Sequence, residues 1–99
     1  NNQQIVSSSW INEATSAKLS TGNILPYLSN YGYYWWIGSN HGINYICALG
    51  YGGQFILISK EKKLVITATC DYKVSKSKAG TNWTNIFDII INDILVAVD

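Results

Sequence analysis

Three glycines crowd one stretch of the chain, Cys47-Ala48-Leu49-Gly50-Tyr51-Gly52-Gly53-Gln54-Phe55-Ile56-Leu57-Ile58. With no Cβ at Gly50, Gly52 and Gly53, the backbone there is nearly bare. Its N–H groups are then the chemistry on offer. Glycines inside a strand pattern point to a bulge, or to a place where something approaches the main chain closely. A sheet edge of that kind can line a site and hold a bound group by amide donors. The run that leaves the glycines puts Gln54, Ile56 and Ile58 on one face and Phe55 and Leu57 on the other. Gln54 reads as a partner for nearby backbone.

Other reactive side chains are few. His41 is the only histidine, so no His-based triad or multi-His metal site can be assembled within the chain. It reads as a loop histidine at a hairpin tip. Cys47 and Cys70 sit in apolar runs and read as buried free thiols, with no Cys/His metal spacing. No cofactor or metal is expected. The net charge of +1 gives no electrostatic case for nucleic acid. Lysines at 60–63 and 73–78 read as solvated turns. No apolar run approaches the roughly 18 residues of a membrane span. Asn82-Trp83-Thr84 matches a glycosylation sequon by letter alone.

Tyr31-Gly32-Tyr33-Tyr34-Trp35-Trp36-Ile37, then Ala48 to Ile56 through the glycines, then Leu64-Val65-Ile66-Thr67 resembles the C-terminal part of the serine β-lactamase-like hydrolases. That group includes class C β-lactamases, penicillin-binding proteins and related esterases. The resemblance spans residues 5–97, and only the last quarter or third of a full member. It implies acyl transfer to or hydrolysis of an amide or ester. It also implies a parent often exported from bacterial cells.

Family catalysis uses a Ser-x-x-Lys box at a helix start, a Tyr-x-Asn or Ser-x-Asn box, and Lys-Thr-Gly on the sheet edge. Ser59-Lys60-Glu61-Lys62 and Ser75-Lys76-Ser77-Lys78 match the first box by letter. The first lies in a hairpin turn, and the second in a polar linker with no apolar helix following at once, so neither is taken as the nucleophile. The second box does not occur. Ala48-Leu49-Gly50 stands in the place of the third and lacks its basic residue. By the resemblance, Ala48, Leu49, Gly50 and Gly52 face substrate, and the Tyr51 backbone N–H is an oxyanion-hole donor.

The elements that must hold these residues follow from periodicity. Ile5–Lys18 reads as a helix, capped by Ser7, Ser8 or Ser9, with Trp10, Ile11 and Ala14 as its apolar stripe. Leu19–Asn30 reads as a connector. Tyr31–Ile37 is a strand, aromatic on both faces, so its Tyr/Trp cluster reads as core rather than as a stacking platform for sugars or bases. Residues 38–42 form a hairpin loop. A second strand runs from Ile43 through the glycines to Ile58, and a third over Leu64–Cys70. Thr81 or Asn82 caps a C-terminal helix, with Trp83, Ile86, Phe87, Ile90, Ile94 and Ala97 on one side. Trp35 or Trp36, Phe55, Leu57, Val65, Ile86, Phe87 and Ile90 should be buried.

The expectation is an α+β fold: an N-terminal helix, a three-stranded antiparallel sheet and a C-terminal helix packed on it. Together these make part of a β-lactamase/transpeptidase-like fold. Residues 1–99 read as one domain, the C-terminal fragment of a larger hydrolase domain. The chain would supply the sheet edge of the active site and be inactive alone. Its partner would be the missing N-terminal part of that domain. When isolated, it would self-associate through an uncovered sheet face and an unpaired strand edge at Tyr31–Ile37 or Ala48–Tyr51. The alternative is a small free-standing domain that pairs a peptide or partner strand along its sheet edge.

Overall fold

The computed structural model describes residues 3–71 and 73–98. The first two residues of the polar start, and Tyr72 in the linker, lie outside them. The fold is α+β, with a six-stranded antiparallel sheet in simple meander order. The strands are β1 (Leu19–Leu25), β2 (Leu28–Tyr31), β3 (Trp36–Asn40), β4 (Ile43–Gly50), β5 (Gln54–Ser59) and β6 (Leu64–Ala68). Helix α1 (Ser8–Ala14) precedes them. Helix α2 (Lys76–Ile89), a π-helical turn (Ile90–Ile94) and the short α3 (Leu95–Ala97) follow.

Six strands replace the three expected, for two reasons. Leu19–Asn30 is a β-hairpin and not a connector: Leu25 pairs with Leu28 across Pro26-Tyr27. The turn-like Thr21-Gly22-Asn23 lies inside β1, where the register shifts between Ser20 and Leu25. The chain also reverses at the glycines instead of running through them. Gly50 pairs with Gln54, so Tyr51, Gly52 and Gly53 form the loop of a β4–β5 hairpin. Tyr31–Ile37 is likewise not one strand. Tyr31 closes β2, Trp36 opens β3, and these two residues are paired.

Period-2 alternation sorts the sheet into two faces. On one, Trp36, Cys47, Leu57 and Ile66 form a row across four strands, and Leu49, Phe55 and Ala68 form another. These rows meet the C-terminal helices. Phe55, Trp83 and Phe87 pack ring on ring, with centroids 5.0 to 5.7 Å apart. Tyr27 adds its edge to Phe87 at 5.2 Å. Gly38 is needed beneath this layer. A Cβ there would lie 2.6 Å from Tyr45 Cε1, whose ring passes over it to donate from its hydroxyl to the Tyr27 carbonyl at 2.7 Å.

Helix α2 begins earlier than expected. Ser75 is its N-cap, accepting from the Lys78 amide at 3.2 Å, so Lys76–Gly80 of the polar linker is helical. Its apolar face also changes part-way. Phe87 and Ile90 are buried as expected, but Ile91 and Leu95 complete the face while Ile94 and Ala97 are exposed. The π turn adds a residue to the winding and rotates the following side chains around the axis. Val65 is the other core expectation that fails. It is 61% exposed on the opposite face of the sheet. Helix α1 is shorter than Ile5–Lys18; Ser7 caps it, Ala14 is buried, and Trp10 is 53% exposed.

No helix among the described residues is long and apolar enough to cross a membrane.

Candidate functional site

The β4–β5 hairpin is built by its glycines and tied down by Gln54. Gly52 and Gly53 have φ of 82° and 104°, the left-handed side that residues with a Cβ rarely adopt. A Cβ on Gly53 would also lie 3.0 Å from Cys70 Sγ and 3.1 Å from Ile86 Cδ1, so the turn sits tight against the chain leaving β6 and against α2. The Gln54 side chain bonds both backbone groups of Cys70, donating to its carbonyl at 2.6 Å and accepting from its amide at 3.1 Å. That two-point clamp fixes the hairpin end. It gives Gln54 the backbone-pairing role expected, with Cys70 as partner.

Ala48, Leu49 and Gly50 line one wall of a concavity of about 400 Å³, with Gln54, Ile56, Thr67 and Thr69 among its other residues. Tyr51 and Gly52 lie in the turn beyond it, Tyr51 exposed and Gly52 buried. The structure therefore brings three of the five expected site residues together in one wall. Neither expected strand edge, at Tyr31–Ile37 or at Ala48–Tyr51, is one: β2, β3 and β4 are all interior, and the strands with a single neighbour are β1 and β6. The β3 ladder nevertheless ends at the Trp36–Cys47 pair, while β5 pairs on to Gly50. Ala48, Leu49 and Gly50 thus lie past the end of one flanking ladder. The concavity's lining is mostly apolar, with Gln54 and two threonines as its polar side chains. Such a wall can hold a neutral group by contact and main-chain bonds.

The two Ser-x-x-Lys stretches have different fates. Ser59 is fully buried at the end of β5, and its hydroxyl has no partner among the described residues. Lys62 reaches away to donate to the Val98 carbonyl at 2.6 Å. Ser75, by contrast, does begin a helix, which corrects the reading of that stretch as a linker. Its hydroxyl caps the Lys78 amide at 3.2 Å and lies 3.3 Å from Ser77 Oγ. The cysteines are both free. Cys47 is buried, and burial pushes its thiol up to about 12. Cys70 is half-buried. Among the described residues no cluster of His, Cys, Asp or Glu is arranged to hold a metal ion.

Two further groupings are assembled by the fold. At the Tyr27 end of the sheet a hydrogen-bonded chain joins four elements, the β1–β2 turn, the β3–β4 turn, α2 and the π turn. Tyr27 donates to Asp88 Oδ1 at 2.6 Å, Asn92 Nδ2 donates to the Tyr27 hydroxyl at 3.1 Å, and His41 Nε2 lies 3.0 Å from Asn92 Oδ1. The bond to Asp88 raises the Tyr27 pKa. Asn92 lies in the π turn and His41 in the β3–β4 turn, where φ is 53°. At the other end, Trp10, Tyr31, Gly32, Tyr33 and Tyr34 line an open cleft of about 720 Å³. This corrects the reading of the Tyr/Trp cluster as core alone: Trp36 packs inward, whereas Tyr33 and Tyr34 stand in the β2–β3 loop, 45% and 88% exposed.

No protein-family model, curated protein or solved structure matches the chain.

Proposed function

We propose that this chain is the C-terminal part of a β-lactamase-related serine hydrolase, supplying one wall of an acyl-transfer site and inactive by itself. The observation that carries the reading is the position of Ala48, Leu49 and Gly50. They line a concave wall past the end of the β3 ladder and lead directly into a glycine turn. The exposure of Ile56 and Val65 on the second face of the sheet adds support, since a full family member covers both faces. In this reading Tyr51 offers its backbone N–H to the developing oxyanion, a donor worth roughly 3–4 kcal/mol of transition-state stabilisation. Ala48, Leu49, Gly50 and Gly52 flank the substrate. Ala48 stands where a lysine would meet a substrate carboxylate, so the favoured substrate is an ester or amide without that charge.

The nucleophile and base would come from the missing N-terminal part. The test is to extend expression upstream, look for Ser-x-x-Lys at a helix start, and assay nitrocefin and p-nitrophenyl esters with and without that segment. Activity and fluorophosphonate labelling should require the added segment and map to its serine. Stoichiometric labelling of this chain alone, with Ser75 the serine to inspect, overturns the inactive-alone reading.

A second reading has its own observation. Strand β6 has one neighbour and an exposed Val65, a template on which an extended peptide could pair. A translation start near Asn1 would favour this free-standing binding domain.

A further inference from the structure

We propose that the cleft lined by Trp10, Tyr31, Tyr33 and Tyr34 is a binding site for neutral saccharides. The inference does not rest on the hydrolase reading, because every residue of the cleft lies in α1, β2 and the loop that follows.

Three observations carry it. The rings of Trp10, Tyr33 and Tyr34 are exposed although the chain is positioned to hold them still, and Tyr31 is half-buried against Trp36. The Tyr33 amide donates to the Ala14 carbonyl at 2.9 Å, which pins the loop to α1, and the Gly32 amide donates to the Trp35 carbonyl at 2.8 Å, which closes the loop on itself. Tyr34 sits at φ 67° and is 88% exposed. A bulky residue held in the left-handed region with its ring in water is strained, and strain of this kind gathers at ligand sites. Secondly, Trp10 and Tyr33 stack on each other at 5.8 Å and 23°, which props the Trp10 ring in place and leaves its outer face, with the exposed Tyr34 ring, as the stacking surface. The electron-rich face of such a ring attracts the C–H-bearing face of a pyranose, and two χ angles per side chain keep the ordering cost low.

The third observation is polarity. The lining residues carry no charge at neutral pH. Lys18 Nζ stands over the Tyr33 ring, 5.1 Å from its centroid, and is itself paired with Glu13 at 2.6 Å, so the charge next to the cleft is already matched. Among the described residues the hydroxyls of Tyr31, Tyr33 and Tyr34 and the Trp10 indole N–H have no hydrogen-bond partner. Phenols both donate and accept. Sugar hydroxyls do the same. A proline-rich segment, the other frequent occupant of aromatic grooves, offers carbonyl acceptors but no N–H from its prolines. The absence of a basic lining speaks against a nucleic acid.

The test titrates the full chain with maltotriose, cellotriose, tri-N-acetylchitotriose and a decaproline peptide, read by amide NMR shifts. At least one trisaccharide should move the Gly32, Tyr33 and Tyr34 amides in the micromolar-to-millimolar range. Trp10→Ala should weaken that binding by about tenfold, and Tyr34→Ala, at a position too exposed to endanger folding, should weaken it as well. Tyr34→Phe should retain most of the affinity if stacking dominates. Silence from all three sugars at millimolar concentration, shifts elsewhere in the chain, binding indifferent to both alanine variants, or a preference for decaproline would each overturn the proposal.

Discussion

Strand β5 presents Phe55, Leu57 and Ser59 to one side of the sheet and Ile56 and Ile58 to the other. The first set is buried beneath α2 and the π turn. The second continues a row, Ile37–Ile46–Ile58–Val65, that crosses four strands in register. Ile56 is 42% exposed and Val65 61%, while Ile37, Ile46 and Ile58 are half-buried. A concavity of about 410 Å³ lies over this face, bounded by Ile37, Ile46, Ile58, Lys60 and Glu61. Composition alone would give the two faces similar value as core. What separates them is how far an element returns to cover the row: among the described residues the C-terminal helices lie on the first face, and Thr15, at the end of α1, borders the second. A covered face is where substitution should cost stability, and a bare one is where it should change association.

The largest effect should come from the centre of the covered face. Phe87 is fully buried among Tyr27, Phe55 and Trp83. Phe87→Ala should cost about 3–5 kcal/mol in urea unfolding. A loss under about 1 kcal/mol, the scale of surface changes, would break the comparison by making the helix peripheral. The hairpin that joins both faces comes next. Gly53→Ala places a Cβ at φ 104° and against Cys70 Sγ, so a loss of about 1–3 kcal/mol is expected. A neutral result would mean the turn relaxes and does not fix the wall at Ala48–Gly50.

Two smaller tests sharpen the covered face. Ser59 buries a hydroxyl without a partner among the described residues, and Ser59→Ala should therefore stabilise by about 1 kcal/mol. Destabilisation by that amount would show that the hydroxyl is satisfied in solution. Cys47 has its thiol pushed up by burial, which raises the folded pKa above the unfolded one. Stability from this group is complete below the unfolded value, near ~8.5, and declines as pH rises from there toward about 12. At pH 8, Cys70 should react with Ellman's reagent well before Cys47. Equal rates would mean that the covered face opens readily.

What could be read in the sequence follows the same division. Alternation in Gln54–Ile58 and the spacing Trp83–Ile86–Phe87–Ile90 identified the two surfaces that meet. Val65 was misjudged because alternation assigns a residue to a face without saying which face is covered. The β1–β2 hairpin was hidden because two turn signals, Thr21-Gly22-Asn23 and Pro26, were read together as a connector; only Pro26 marks a reversal, while the other lies inside β1 at a register shift. Winding in the π turn, which swaps Ile94 for Ile91 and Leu95, follows from packing and has no local letter code. In the candidate site, the glycines announced a special backbone. The wall formed by Ala48, Leu49 and Gly50 against Thr67 and Thr69 depends on strand pairing and needed the fold.

The smallest effect on stability should come from the bare face, and there the informative quantity is mass. Ile56→Lys and Val65→Lys each put a charge where water already reaches, so unfolding free energy should move by no more than about 0.5 kcal/mol. If the row Ile37–Ile46–Ile58–Val65 is the surface through which isolated chains associate, the wild-type chain should sediment above its 11.0 kDa monomer at micromolar concentration. A two-fold pairing would bring the row on one copy against its equivalent on the other and close the assembly. Each lysine would then face an apolar row, and across the two-fold axis a second lysine as well. Desolvating that charge without a partner is costly, so both variants should shift the chain toward monomer while leaving its fold intact. A wild-type monomer that binds no apolar dye would mean the bare face is covered in solution, and the contrast between the two faces would lose its basis. A dimer indifferent to both lysines would place the contact elsewhere, with the single-neighbour strand β1 the next surface to alter.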